Sequence, residues 1–314
     1  MHNTKQSFFR FIAPQYWPTW FGLFLLRLSA LLPIGVQMWL GRQIGYLSYA
    51  LMPRRMNIIK TNIRLCFPEL NQVQQKELVK KSIAATGMAV FEIGISWWGS
   101  PQTIRKLHKV EGLEHLDNAL KKGKGVIILA SHFTTLEIAG TFLTQHIKNV
   151  HVVYKRAHNA LFEHFIQKKR TKNGAILINH TKVREIIRCL KKGDIAWYSP
   201  DQDFGEKDSV FAPFMGVPTC TLVSTQRLSQ LTGAAVVPFY VERPSSSDEL
   251  YTFHFSPAIE NYPTSDPVKD ATTINAAIEK QIRISPEQYL WAHRRFKSQP
   301  SGSIDVYRLP PKPC

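Results

Sequence analysis

Gly125-Val-Ile-Ile-Leu-Ala-Ser-His132-Phe-Thr-Thr-Leu-Glu137-Ile-Ala-Gly140 joins an unbroken aliphatic run to a polar pair and then to a helix-start signal. A short β-branched run that stops at polar residues and gives way to helical periodicity reads as a buried parallel strand feeding a helix. Open α/β sheets bind their ligands at such strand ends, so His132 and Glu137 are the residues to explain. Placed five residues apart on one helix, they would stand about 140° from each other. They converge only if His132 precedes the helix. Thr134-Thr-Leu-Glu137 fits a capping box, with Thr134 as N-cap and Glu137 at the third helical position. That leaves Glu137 two readings: a helix-start residue, or the partner of His132 in a dyad. In the dyad His132 takes a proton from an acceptor hydroxyl, while Glu137 sets its tautomer and steadies the imidazolium.

Downstream the pattern alternates. Apolar runs at 150–154, 175–178, 195–198 and 234–242 read as strands, and 159–172, 182–192 and 221–231 as helices. Such alternation predicts an α/β fold, a mostly parallel central sheet flanked by helices. Tyr251-Thr-Phe-His-Phe255 alternates in character and reads as an edge strand, antiparallel to its neighbour. A helix over 270–285 stops at Pro286. Upstream, helices are expected over 57–66, 72–98 and 113–120, the last stopped by Lys122-Gly-Lys-Gly125.

The N-terminal run Phe21-Gly-Leu-Phe-Leu-Leu-Arg27-Leu-Ser-Ala-Leu-Leu-Pro33-Ile-Gly-Val-Gln37-Met-Trp-Leu40 has the roughly 20-residue length of a membrane span. Arg27, Pro33 and Gln37 interrupt it. Three readings result: a span with Arg27 snorkelling near one end, a helix in the interface with Tyr16, Trp17, Trp20 and Trp39 at headgroup depth, or a buried helix of a soluble protein. Residues 1–55 are accordingly expected to be a hydrophobic membrane-anchor helix, 56–305 the α/β domain and 306–314 a loose tail. The net charge of +17 implies an anionic partner. Cys66, Cys189, Cys220 and Cys314 are scattered without a C-x-x-C pair, which predicts reduced thiols rather than zinc or a disulfide framework. Neither a G-x-S-x-G elbow nor H-E-x-x-H is present, so the serine-hydrolase and zinc-hydrolase signatures are missing. No metal or cofactor is expected.

Ser131-His-Phe-Thr-Thr-Leu-Glu137 resembles the H-x-x-x-x-[DE] block of the glycerolipid and lipid A acyltransferases. Leu65-Cys-Phe-Pro-Glu69, Tyr154-Lys-Arg-Ala-His-Asn159, Trp197-Tyr-Ser-Pro-Asp-Gln-Asp-Phe-Gly205 and Glu287-Gln-Tyr-Leu-Trp-Ala-His-Arg-Arg-Phe-Lys297 are similar to that family's other blocks, in the same order. Together they cover most of the chain. It looks most like the Kdo-dependent late acyltransferases of lipid A biosynthesis, in particular the lauroyl type. The resemblance implies transfer of a laurate-like acyl chain from acyl carrier protein to the hydroxyl of a 3-hydroxyacyl chain on a Kdo-bearing lipid A precursor. It implies an active site at the cytoplasmic face of the inner membrane, with His132 as base and Glu137 as its partner. For substrate binding it points to Arg156, Asn159, Asp201, Asp203, His293, Arg294 and Arg295, and the basic run Lys168-Lys-Arg170-Thr-Lys172 reads as a docking strip for acyl carrier protein or lipid phosphate or as a solvated helix face. Phosphates, Kdo carboxylates, an acidic carrier protein and an anionic membrane surface each suit a chain of charge +17. Lys155 and Ala160 depart from the family's second block, where Tyr and Pro are common. These departures bear on acceptor contacts and chain length and leave His132 and Glu137 intact.

Two other readings stay open at this level. An acyltransferase acting on a lysophospholipid or another glycolipid keeps the fold and changes the acceptor. A non-catalytic basic protein binding membrane or nucleic acid accounts for the charge alone. The basic residues are scattered, however, and no helix-turn-helix, zinc-finger or RNA-recognition signature accompanies them, so no specific nucleic acid is expected.

Overall fold

The structure is a computed structural model that describes residues 8–245, 250–301, 303 and 305–307. Two helices, α1 (Trp17–Ser29) and α2 (Ile34–Leu51), replace the single apolar helix expected over 21–40. Pro33 is the cause. It lacks an N–H and keeps the preceding residue out of the helical region, so α1 stops at Ser29 and Pro33 becomes the N-cap of α2. Among the described residues no helix is long and apolar enough to cross a membrane, which corrects the expected spanning anchor. Much of the apolar surface stays outside instead, including Trp17, Phe21, Phe24, Leu28, Leu31 and Trp39.

Next come α3 (Pro53–Cys66) and α4 (Gln72–Trp98), the latter started by a reciprocal capping box between Asn71 and Gln74. The close crossing of α2 over α4 depends on Gly41, Gly45 and Gly87. A Cβ on Gly41 or Gly45 would meet the α4 backbone at Met88 or Ile83, and one on Gly87 would meet Gly41 and Gly45.

The chain then runs through α5 (Pro101–Arg105), β1 (His108–Glu111), α6 (Leu113–Leu120), β2 (Val126–Leu129), α7 (Leu136–His146), β3 (Val150–Tyr154), α8 (Ala160–Lys172), β4 (Ile176–Asn179), α9 (Val183–Lys191) and β5 (Ile195–Tyr198). A hairpin of β6 (Ser209–Phe214) and β7 (Val217–Leu222) follows, then α10 (Ser224–Thr232), β8 (Ala235–Glu242), β9 (Tyr251–Phe255) and α11 (Pro267–Ile284). The main sheet has the order β1-β9-β8-β2-β5-β3-β4. Its five strands from β8 to β4 run parallel, as the alternating pattern predicts, and β9 joins β8 antiparallel.

Three expectations need correction. β9 is not an edge strand, because β1 pairs with its far side. Thr221 and Leu222 belong to β7 rather than to a helix over 221–231, since Thr221 pairs with Val210 across the hairpin. The tail from 306 is not loose where described: the Tyr307 hydroxyl donates to Asn62 Oδ1 at 2.5 Å. Residues 308–314, with Cys314, lie outside the described residues. Cys66, Cys189 and Cys220 are free and buried.

The sheet separates two cores. Ile138, Phe142 and Leu143 of α7 pack on one face, while Ile186, Cys189 and Leu190 of α9 pack on the other with Leu228 of α10 and Ile274 of α11. α8 lies beside α7 and receives α1 through Leu23, Leu161 and Ile166.

The glycine crossing yields a stability test. Gly87→Leu forces α2 off α4 and is expected to cost about 3 kcal/mol by overpacking, seen as a lower thermal unfolding midpoint. An unchanged midpoint would show that α2 does not pack there in solution.

Candidate active site

β2 and β5 pair in parallel with Leu129 opposite Tyr198. His132 and Asp201 follow that last pair at equal distance along their chains, so the register sets them side by side where the strands end. The Ala130 N–H carries the pairing further by donating to the Tyr198 carbonyl at 3.0 Å. His132 Nδ1 bonds Asp201 Oδ1 at 2.7 Å, and the His132 backbone N–H donates to Oδ2 at 2.8 Å. A carboxylate can only accept, so Nδ1 carries the hydrogen and Nε2 remains free to act as a base.

The Asp201 side chain has no exposed surface, whereas that of His132 keeps 28% of its own. Burial pushes the Asp201 carboxyl up, but the imidazole and the His132 N–H override it and bring it down to about 2. Burial likewise pulls the imidazole down, and Asp201 lifts it above its ordinary value of 6.5. His132 also faces an apolar cavity of about 730 Å³, lined among others by Leu136, Gly140, Val153, Ile186, Trp197 and Leu228.

The segment after α11 braces this junction from behind. Phe133 forms an isolated antiparallel bridge with Tyr289, the Leu290 N–H donates to the His132 carbonyl at 2.9 Å, and the Thr134 N–H to the Gln288 carbonyl at 2.7 Å. His293, Arg294 and Arg295, expected to bind substrate, are themselves held by the protein. His293 Nε2 accepts from the Asp203 N–H at 3.1 Å, and burial, opposed by Asp201, brings its pKa down to about 4. Arg295 is 2% exposed and donates to the Cys220 carbonyl at 2.6 Å and to Thr221 Oγ1 at 3.1 Å, locking the β6–β7 hairpin. Arg294 pairs with Asp305 at 3.3 Å and covers the Tyr307 ring. Asp203 accepts from the N–H groups of Gly205 and Ser298, which makes it an organiser of turns.

Glu137 requires a correction. α7 starts at Leu136, with Thr135 as N-cap and no side-chain cap bond. The Thr134 hydroxyl accepts from Arg243 and the Thr135 hydroxyl donates to the Val241 carbonyl, so neither oxygen serves the helix end. The Glu137 carboxylate turns toward α8 and α4. It accepts from Arg170 Nη2 at 2.6 Å, from Arg170 Nε at 3.2 Å and from Trp97 Nε1 at 2.7 Å. Burial raises this carboxyl, and Arg170 together with Trp97 holds it below the usual value. Among the described residues no hydrogen bond joins Glu137 to His132. Asp201 therefore sets the imidazole tautomer in place of Glu137. Glu137 and Arg170 both line the cavity as an ion pair in its mostly apolar wall.

The other expected contacts divide. Asn159 caps α8 by accepting from the Phe162 N–H and ties it to α1 through Thr19 Oγ1 at 2.8 Å. Arg156 is exposed and lines a second, smaller cavity rather than the first. Sequence reasoning passed over the buried pair Glu92–Arg243, joined at 2.6 and 2.8 Å. The Tyr251 hydroxyl donates to Glu92, and Arg243 reaches Thr134 beside the site. A lone acid inside the apolar run of α4 was the signal available. Trp97, near the end of α4, carries no such signal, yet its indole N–H reaches Glu137.

Fold and site together define an α/β protein with a carboxylate-held histidine at the end of a parallel strand, facing an apolar cavity. The family described as bacterial lipid A biosynthesis acyltransferase matches residues 5–298. The lipid A biosynthesis palmitoleoyltransferase of Escherichia coli (strain K12) is 36% identical over 298 residues, covering 95% of this chain and 96% of that protein. The lauroyltransferase of the same organism is 32% identical over 308 residues (98% and 100%), and its myristoyltransferase 25% over 300 residues (94% and 91%). The chain belongs to the bacterial lipid A biosynthesis acyltransferase family and is an acyltransferase. Membership implies a lipid A precursor as acceptor. The relatives carry three different acyl names, so family alone leaves the chain length unassigned.

Arg243→Ala strands the Glu92 carboxylate in the core and is expected to cost about 3–5 kcal/mol in denaturant unfolding. Replacing both partners by apolar residues, Glu92→Leu with Arg243→Met, should recover most of that. Equal losses in the single and double variants would contradict a buried pair.

Proposed function

We propose that the protein transfers a laurate-like acyl chain from acyl carrier protein to the hydroxyl of a 3-hydroxyacyl chain on a Kdo-bearing lipid A precursor, with His132 as general base. The observation that carries this reading is the His132–Asp201 pair at the mouth of an apolar cavity. His132 Nε2 takes the proton of the acceptor hydroxyl as its oxygen attacks the thioester carbonyl. The tetrahedral intermediate collapses with cleavage of the C–S bond, and the imidazolium returns the proton to the departing thiolate. Asp201 orients the ring and stabilises its charge. Glu137 acts through Arg170: it holds Nε and Nη2 of the guanidinium in the cavity wall, whose positive charge favours the carbonyl oxygen as negative charge develops there. The apolar cavity suits an alkyl chain.

The reading places the protein at the cytoplasmic face of the inner membrane. Exposed Trp17, Phe21, Phe24, Leu28 and Trp39 support contact by helices lying in the interface.

A transfer assay with carrier-protein thioesters of several chain lengths, on acceptors with and without Kdo, tests the proposal. The highest rate is expected for the lauroyl donor on the Kdo-bearing acceptor, and transfer only to a lysophospholipid would overturn it. His132→Ala should remove about 10²–10⁴-fold or more of the rate in a protein that still folds. The base must be neutral, so kcat/KM should rise with pH along a limb centred above 6.5, the ordinary histidine value. Asp201→Asn removes the charge that lifts His132 and leaves burial acting alone, so the limb should move below that value as the rate falls. Glu137→Gln should lower the rate without moving the limb. If Glu137→Gln shifts it and Asp201→Asn does not, the partner assignment is wrong.

A further inference from the structure

The basic run Lys168-Lys-Arg-Thr-Lys172 on α8 looks from sequence like a docking strip for an acidic partner, but the fold withdraws two of its four cations and leaves Lys168 and Lys172 exposed. Arg170 turns inward to Glu137, and Lys169 donates to the Trp97 carbonyl at 2.8 Å and lies over the Trp98 ring. α9 and the residue after it carry a denser set of exposed cations. Ile186, Cys189 and Leu190 face the core, and Arg184, Arg188, Lys191 and the adjoining Lys192 are exposed. At helical spacing these four fall within an arc of about 100°. Among the described residues none of them forms an ion pair; Glu185, the acid of this helix, is taken by Lys182 at 2.7 Å.

The start of the same helix forms part of the cavity mouth. Val183, 50% exposed, and Ile186 line the cavity, with His180 before them and Phe204, 49% exposed, in the wall. A second cavity of about 250 Å³ next to it, lined by Arg156 and by the Lys182–Glu185 pair, adds the Arg156 charge near the end of β3. An exposed cationic face beside an opening with exposed apolar residues fits a globular anion that inserts an acyl arm. α9 also lies on the sheet face opposite α7, whereas the exposed apolar helix α1 packs on α8 on the α7 side. A protein docked on α9 and a membrane met by α1 would not compete.

We infer that the face of α9 formed by Arg184, Arg188, Lys191 and Lys192 docks the acidic acyl carrier protein and directs its thioester arm into the cavity past Val183 and Phe204. The inference rests on the donor proposed above.

Steady-state transfer from lauroyl-acyl carrier protein tests it with the double reversal Arg184→Glu/Arg188→Glu in the full chain. KM for the donor should rise about tenfold or more, with kcat at saturation and KM for the acceptor within twofold. Added salt should raise the wild-type donor KM and barely affect the variant. Lys168→Glu on α8 should leave the donor KM within twofold. A donor KM unchanged in the double variant overturns the inference, as does a rise confined to the acceptor KM or loss of binding to phosphatidylglycerol vesicles alone. Absence of any wild-type transfer from the carrier-protein thioester would instead sink the donor assignment itself. A thermal unfolding midpoint equal to wild type confirms that the variant is folded.

Discussion

The in-register pairing of β2 with β5 is the constraint on which the site depends. Parallel strands that end together present the residues beyond them at equal height, so His132 and Asp201 meet without any turn built for the purpose. Asp201 grips both the imidazole and the backbone N–H of His132, which fixes the ring and the chain that carries it. A shift of one strand by a single residue would break both bonds and turn the apolar side chains of β2 to the opposite face. Because Val126–Leu129 is buried on both faces, such a slip would disrupt both cores.

Around this pair the protein arranges polar groups that cannot reach water. Glu92, Arg243, Tyr251, Thr134 and Gln288 form one connected network behind the elbow between β2 and α7. The segment from Pro286 to Ser298 closes the other side through Gln288, Leu290 and His293. Buried donors and acceptors are costly unless satisfied, so each bond made here also restricts where the elbow can move. The residues around His132 therefore serve rigidity as much as chemistry.

Much of this was legible in the chain. The run Val126–Leu129 and the alternation after it announced a parallel sheet, and 72–98 and 113–120 emerged as helices within the limits read from their caps and periodicity. The hairpin of β6 and β7 was not legible, because Pro213, Pro218 and short polar interruptions blur its period of two. Gly41 and Gly45, one helical turn apart, were present as a signal of close packing, but only the partner glycine on α4 gives that spacing meaning.

The sequence by itself determined the fold class and the strand end that carries His132, because both follow from local periodicity, and it pointed to the family through short blocks that keep their order along the chain. Only the tertiary structure decided the partners. Asp201 took the place beside His132, Glu137 went to Arg170 and Trp97, and the basic run on α8 lost Lys169 and Arg170 to inward contacts while four cations at α9 stayed exposed. These pairings join residues from different elements, and sheet register and helix facing set them. Neither is encoded at short range, so a five-residue spacing could name Glu137 but could not show which way its carboxylate would turn.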